Sequence, residues 1–382
     1  MKPKLPVRAL TSTLIIAATC AATICGMAAD TGGGAGQFIE KFTISRNDAE
    51  YECFPALTRL NSGRVILTYR ESDSHPGKEY TRIIIRTSDD AGETWSDRRV
   101  LAESKKTGGV LLKYNCPKVQ QLKDGRALIV CDREPKLIDN GAKTDQTAYN
   151  QFWFSSDNGQ TWSEPRTTPV AGIMPDEVVE LDNGDWLLAS QWRSKETNFP
   201  TVWATRSRDQ GKTWEKPVVI VGSKIYKFCE ASILKLPGGK LVCYLRENSS
   251  KGLPIYKCIS YDNGWTWQGP FETPMNAGHR PVAHLTRSGK VLITYRFQPG
   301  GARPWAKNTF AYLESPESAL ELNLTKQHGV VLPIDHDRNA KSDGGYTGWV
   351  ETEPGRFLMV NYIKDDAPLA QIRGYRFTEK DF

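Results

Sequence analysis

The chain of 382 residues contains no run of lysines and arginines. Without one, nucleic-acid and membrane-surface binding have no electrostatic footprint. The formal net charge of +6 is mild, and loss of Lys2, Lys4 and Arg8 from the N-terminus would reduce it to +3. The eight cysteines make no C-x-x-C pair and no zinc-knuckle spacing, and the five histidines show no metal-ligand spacing. Neither a metal nor an organic cofactor is therefore expected. Long hydrophobic runs are also missing, with one exception at the start. MKPKLPVR is followed by ALTSTLIIAATCAATICGMAA, a basic region, a short apolar core and a small-residue end. That pattern predicts a secretory signal peptide over residues 1–29, cut after Ala29. Residues 30–37 then read as a flexible leader, and export to the periplasm or beyond is expected, with no stable membrane insertion after cleavage. Cys53, Cys116, Cys131, Cys229, Cys243 and Cys258 remain. Export permits disulfides among them, but they read as packing residues of a large core.

What the chain has in abundance is repetition. SDDAGETW from Ser88 returns as SSDNGQTW from Ser155, SRDQGKTW from Ser207 and SYDNGWTW from Ser260. Upstream of each octet lies a second unit: an apolar arm, a glycine turn and a strongly apolar strand ending in charge. It begins at Pro55, Pro117, Asp176, Glu230, Arg280 and Thr347, with turn glycines at Gly63, Gly125, Gly184, Gly239, Gly289 and Gly355. Two arms joined by N-S-G, K-D-G, D-N-G or P-G-G are hairpins. A third strand leads into the octet, whose Asp, Gly and Thr suit a tight turn into a fourth strand. Six such units predict an all-β fold, a six-bladed β-propeller of four-stranded antiparallel blades over residues 38–382. The N-terminal strand FIEKFTIS is predicted to close the last blade beside IRGYRF. The octet is missing from the fifth and sixth units, which reads as a decayed signal and not as a missing blade.

Antiparallel geometry sorts the remaining residues. The start of each first strand and the end of each second strand share one rim, and the glycine turns and octets share the other. The first rim collects Glu52, Arg70, Glu71 and Asp73 from blade one, then Asn115, Asp132, Arg133 and Glu134 from blade two. Blade three adds Asp176, Glu177, Trp192 and Arg193; blade four adds Glu230, Arg246, Glu247 and Asn248. His279, Arg280 and Arg296 come from blade five, and Tyr346, Tyr362 and Asp365 from blade six. A scaffold needs no ring of arginines, carboxylates and aromatics. Such a ring suits an anionic, hydroxyl-rich ligand, with Asp132, Trp192 and Asn248 among its polar and stacking contacts.

The S-x-D-x-G-x-T-W repeats resemble the Asp-box of the sialidase (neuraminidase) superfamily, and the resemblance covers essentially the whole chain after the signal peptide. It implies a metal-free, retaining exo-α-sialidase-like glycosidase acting on sialylated or other acidic glycans. EASILKLPGGKLVCYLRE resembles the stretch that supplies a base and an arginine, which implies Glu230 and Arg246. GGYTGWVETEPGRFLMVNY resembles the stretch that presents the nucleophilic tyrosine, which implies Tyr346. The general acid would be Asp73 or Glu71, and a further carboxylate-binding arginine Arg280 or Arg296. Sialidases open the first blade with R-I-P, whereas this chain has YECFP, with Glu52 and Cys53 at that place. Arg70, at the end of the same hairpin, is the expected substitute. The alternative is a non-catalytic propeller that binds acidic glycans, or an enzyme of a different acidic polysaccharide.

Overall fold

A computed structural model describes residues 39–137, 148–194, 196, 198–300 and 306–382. The expected signal peptide and leader lie outside the described residues. The described strands form six antiparallel sheets in sequence order. Blade one comprises Tyr51–Arg59, Val65–Ser72, Tyr80–Ser88 and Arg99–Lys105; blade two comprises Val110–Tyr114 with Lys118–Gln121, then Ala127–Leu137, Tyr149–Ser155 and Arg166–Ala171. Blade three has Val179–Glu180, Trp186–Arg193, Pro200–Ser207 and Val218–Val221; blade four has Phe228–Lys235, Leu241–Glu247, Tyr256–Ser260 and Gln268–Glu272. Blade five has Gly278–Leu285, Val291–Phe297, Asn308–Glu314 and Gly329–Asp335. Blade six takes Gly344–Glu353, Arg356–Ile363 and Gln371–Thr378 from the C-terminal side and Glu40–Ser45 from the N-terminal side. The ring is thus the predicted six-bladed propeller. Its closing strand pairs Glu40 with Arg376 and Phe42 with Gly374, as FIEKFTIS and IRGYRF foretold.

Alternating apolar residues pack blade on blade. Leu57, Val65, Leu67 and Tyr69 of blade one, for example, share a core with Leu358, Val360 and Tyr362 of blade six. All six cysteines of the described residues are free and buried in this packing.

The octets have the same internal chemistry each time. In the second, the Asp157 carboxylate accepts from Thr161 N (2.9 Å) and Thr161 Oγ1 (2.5 Å), and Gly159 N donates to Ser155 Oγ (2.9 Å). The octet lies on the rim of the glycine turns, where Arg64 of the first turn grips Asp89 at 2.6 and 2.8 Å. It is also more than a turn, because its glycine abuts the preceding blade. A methyl on Gly92 would come within 2.5 Å of Leu358 Cδ2 in blade six, and one on Gly159 within 2.7 Å of Ile66 Cδ1 in blade one. The octet is therefore a clamp between blades. Its absence from the last two blades has a structural cause and is not decay. In blade five a short helix, Pro316–Leu320, and a 3₁₀ turn, Leu324–Lys326, fill the link between third and fourth strands. In blade six those two strands are far apart in sequence, so there is no link to carry the octet.

Gly92 and Gly125 separate the clamp from the turn, since both have φ of +91° and Gly125 has open space around its Cα. Alanine at either position bears a left-handed cost of about 1–2 kcal/mol. Gly92→Ala adds overpacking of about 1–3 kcal/mol against Leu358. Its thermal midpoint is expected to fall several degrees below that of Gly125→Ala; equal midpoints would show that the octet does not clamp.

Candidate active site

Four of the six inner strands carry the same irregularity. Between Cys53 and Ala56, Cys229 and Ser232, His279 and Val282, and Gly344 and Thr347, two residues oppose one on the second strand. Each is a bulge that turns a side chain out of the sheet's alternation. The first bulge residue is left-handed in every case: Phe54 (φ 57°), Glu230 (φ 52°), Arg280 (φ 49°) and Gly345 (φ 89°). Non-glycine residues in this region are uncommon and strained, and such strain gathers at functional sites. The ladder pairs Cys53 with Arg70, Cys229 with Arg246 and His279 with Arg296, so these arginines are equivalent positions in three blades.

The bulges bring together most of the predicted residues. Tyr346 OH donates to Glu230 Oε1, and Arg246 Nη1 donates to the same oxygen at 2.7 Å and to Tyr346 OH at 3.1 Å. Asn248, exposed at the rim, holds the other end of that guanidinium by accepting from Arg246 Nη2 at 2.7 Å. The guanidinium of Arg296 lies 4.4 Å and that of Arg280 5.7 Å from the centre of the Tyr346 ring. Tyr346, Glu230, Arg246, Arg280 and Arg296 are each, as whole residues, at least nine-tenths buried. Glu230 Oε2, Arg246 Nε and Arg280 Nη1 are buried with no hydrogen-bond partner among the described residues. Orphaned groups of this kind cost about 1–3 kcal/mol each unless water or a ligand meets them, and three of them fall together here.

The electrostatics of the cluster are asymmetric. Burial alone would raise the Glu230 carboxyl, but Arg246 and Arg280 outweigh it and hold the group below its ordinary pKa. Tyr346 moves the other way, raised by burial and by the Glu230 charge. The resting pair is a neutral phenol donating to a carboxylate, which is the arrangement in which a proton can leave as the phenol oxygen forms a bond.

Other predicted residues lie elsewhere. Glu71 is corrected: next to Arg70 on a strand, it points to the opposite face and is ion-paired with Arg82 (2.8 Å) and Arg98 (2.6 Å). Asp132 is fully buried and accepts from Asn115 Nδ2, Cys116 N and Met174 N at 2.9 to 3.1 Å, so it stitches blades two and three and offers nothing to a ligand. Arg70, the expected substitute for the R-I-P arginine, makes no hydrogen bond or ring contact with Tyr346 or Glu230 among the described residues. Phe54 occupies the bulge where blade four has Glu230 and lies over Arg70 at 4.6 Å. Both Nη atoms of Arg70 are used, Nη1 on Asn115 Oδ1 and Nη2 on the His75 carbonyl, while its Nε, like that of Arg246, has no partner among the described residues. Trp192 is partly exposed and pairs with Thr201 on the rim of blade three. Its neighbour Gln191 faces the axis instead and accepts from Glu230 N. Glu177, expected at the mouth, sits near the opposite end with His284 (3.5 Å) and lines a cavity there. Asp73 is anchored by its own loop: it accepts from Lys78 N (2.8 Å), Glu79 N (3.2 Å) and Ser74 Oγ (2.9 Å). Burial works against it, yet these bonds keep its pKa below the ordinary value.

Sequence reasoning missed Phe54, Gln191, His75 and Asp343. The Phe54 ring packs on Tyr346 (5.1 Å), Tyr362 (5.3 Å) and His75 (5.4 Å). Asp343 accepts from Tyr51 OH, Lys307 Nζ (2.7 Å) and Tyr362 OH (3.2 Å) and binds His75 Nδ1 at 2.6 Å. The available signal was the alignment of YECFPAL, KFCEASI and AGHRPVA, which places Phe54, Glu230 and Arg280 at one position.

The model of the BNR repeat-like domain matches residues 136–329, about half of the sequence. The chain belongs to the BNR repeat-like family. This BNR propeller is 24% identical over 274 residues to a sialidase of Paraclostridium sordellii, a match covering 63% of this chain and 64% of that protein's length. A crystal structure of a protein of unknown function from Dyadobacter fermentans superposes with a TM-score of 0.73 at 21% identity, over 90% of this chain and 99% of the other. A leech intramolecular trans-sialidase complexed with 2,7-anhydro-Neu5Ac gives 0.64 at 14% identity, over 89% and 71%. At these identities the structures speak for the fold alone, a six-bladed propeller.

Glu52, the residue that marked the departure from R-I-P, faces away from the axis. Its Oε1 accepts from Ser45 Oγ (2.6 Å) and Tyr69 OH (3.2 Å), and Oε2 has no partner among the described residues. Burial raises its pKa from 4.5 to about 7, with Glu71 adding to the rise and Arg86 opposing it. A carboxyl that holds its proton more tightly when folded costs stability as pH climbs from about 4.5 to about 7, by up to about 3 kcal/mol. Glu52→Gln is expected to flatten the fall in thermal midpoint over that window and to be the more stable form above pH 7. An unchanged slope would refute this.

Proposed function

We propose that this BNR propeller is an exported glycoside hydrolase of sialidase type. The triangle of Tyr346, Glu230 and Arg246 carries the reading. A phenol is a poor nucleophile at its ordinary pKa near 10, and a carboxylate already accepting its proton is what lets it attack. The anomeric carbon of a sialoside bears a carboxylate, so a neutral attacking oxygen avoids like-charge repulsion. Arg246 donates to that oxygen, Arg280 and Arg296 lie by the Tyr346 ring, and together they supply the positive field for the substrate's carboxylate; the orphaned nitrogens of Arg246 and Arg280 are the donors it would satisfy. Tyr346 attacks, Glu230 takes the proton, and the resulting tyrosyl-sugar is hydrolysed by the reverse proton path, so configuration is retained. Asp73 is the remaining candidate acid for the leaving oxygen; its loop hydrogen bonds favour the carboxylate, so substrate would have to displace Ser74 Oγ from Oδ2 and bring a proton there first. Three arginines gathered without Arg70 favour an acidic sugar even though R-I-P is missing.

Purified protein is expected to release sialic acid from a fluorogenic α-sialoside. Tyr346→Phe and Glu230→Gln should each lower kcat by at least about 10³-fold, and the double variant little further, because the pair acts as a unit. Intact sialosides together with retained binding of acidic glycans would replace the hydrolase with the glycan-binding alternative. Export has its own check: protein recovered outside the cytoplasm of a producing cell is expected to begin at Asp30, and a start at Met1 would count against it.

A further inference from the structure

Beside the Tyr346 cluster the mouth opens into a cavity of about 450 Å³, lined among others by Tyr51, His75, Lys307, Lys341, Asp343 and Lys364. It shares an aromatic wall with the candidate active site. His75 packs on Phe54 (5.4 Å) and faces Tyr362 (6.4 Å), and both of those rings pack on Tyr346. The carboxylate in this cavity is already engaged, since Asp343 takes hydrogen bonds from Tyr51, Lys307 and Tyr362 and binds His75 Nδ1. The floor is firmly built. Tyr51, Ser342 and Asp343 are each more than nine-tenths buried, and Ser342 Oγ accepts from Lys307 N at 2.9 Å. The ammonium groups of Lys341 and Lys364, by contrast, have no carboxylate partner among the described residues. Two uncompensated cations over a fixed polar floor attract an anion. His75 donates through Nδ1 to Asp343, and burial lowers its pKa. Its Nε2 is thereby an acceptor, suited to a sugar hydroxyl and not to the anion itself.

We propose that this cavity is a second subsite, one aromatic layer from Tyr346, which takes a sugar carrying an oxyanion substituent. Lys341 and Lys364 grip the oxyanion and His75 Nε2 accepts from a neighbouring hydroxyl. As the place of the leaving-group sugar the subsite rests on the sialidase-type reading; as a binding site it does not. Sulfate esters, phosphate esters and uronic carboxylates share the required chemistry.

The test is a calorimetric titration of the full chain with galactose 6-sulfate, galactose 6-phosphate and galacturonic acid against galactose. At least one charged sugar is expected to bind about tenfold or more tightly than galactose, and the arms show which oxyanion is preferred. That preference should vanish in Lys341→Gln/Lys364→Gln and persist in Lys341→Arg/Lys364→Arg. Hydrolysis of a sialoside with an uncharged leaving group should be unchanged in both variants. Equal binding of all four sugars, or a preference that survives the glutamine variant, overturns the subsite. A wild type that binds the charged sugar yet hydrolyses no sialoside leaves the subsite standing and removes only the hydrolase.

Discussion

One oxygen atom, Oε1 of Glu230, receives both the hydroxyl of Tyr346 and a guanidinium nitrogen of Arg246. These residues come from blades six and four, with Glu230 and Arg246 on adjacent strands of one blade. The oxygen can be shared only because a left-handed residue in a bulge swings the Glu230 side chain toward the axis. A regular strand would alternate its side chains between the two faces of the blade. Gln191 of blade three takes up the amide of that bulge, so a third blade holds the strained residue in place. The propeller's contribution to the site is this distortion, repeated in four blades with a different residue at its left-handed position.

The same device explains why blade one lacks the expected R-I-P without leaving a hole. With Phe54 in the bulge, the arginine equivalent to Arg246 is covered by a ring and spent on Asn115 and the His75 carbonyl. The position is filled, but by packing. Positive charge around Tyr346 then comes from blades four and five alone, and one side of the mouth becomes an aromatic wall.

Much of this was legible in the sequence, for reasons that differ by residue. The hairpin glycines and octets report local backbone needs, so they fixed the number of blades and the rims. Tyr346, Glu230 and Arg246 followed from register plus resemblance. What failed was the assumption that every charged residue at a strand end faces the axis. Glu71 follows Arg70 and must face the other way in a regular strand, and Asp132 is drawn inward by three donors that no linear pattern shows. Bulges are equally silent: Phe54, Glu230 and Arg280 have nothing in common but place. Asp343 was invisible because its partners, Tyr51, His75, Lys307 and Tyr362, come from four separate stretches of chain.

The ring is completed by pairing Glu40 with Arg376, residues at opposite ends of the described chain. A polypeptide emerging from synthesis can build blades one to five in order, but Glu40–Ser45 must wait for its partner Gln371–Thr378. Until then the Gln371–Thr378 edge of blade six and the lone strand Glu40–Ser45 are unpaired, the kind of surface that recruits other chains. Contacts of such sequence separation close slowly. Assembly of this propeller therefore turns on a late meeting of its two ends, and Tyr346 lies in the blade that this meeting finishes.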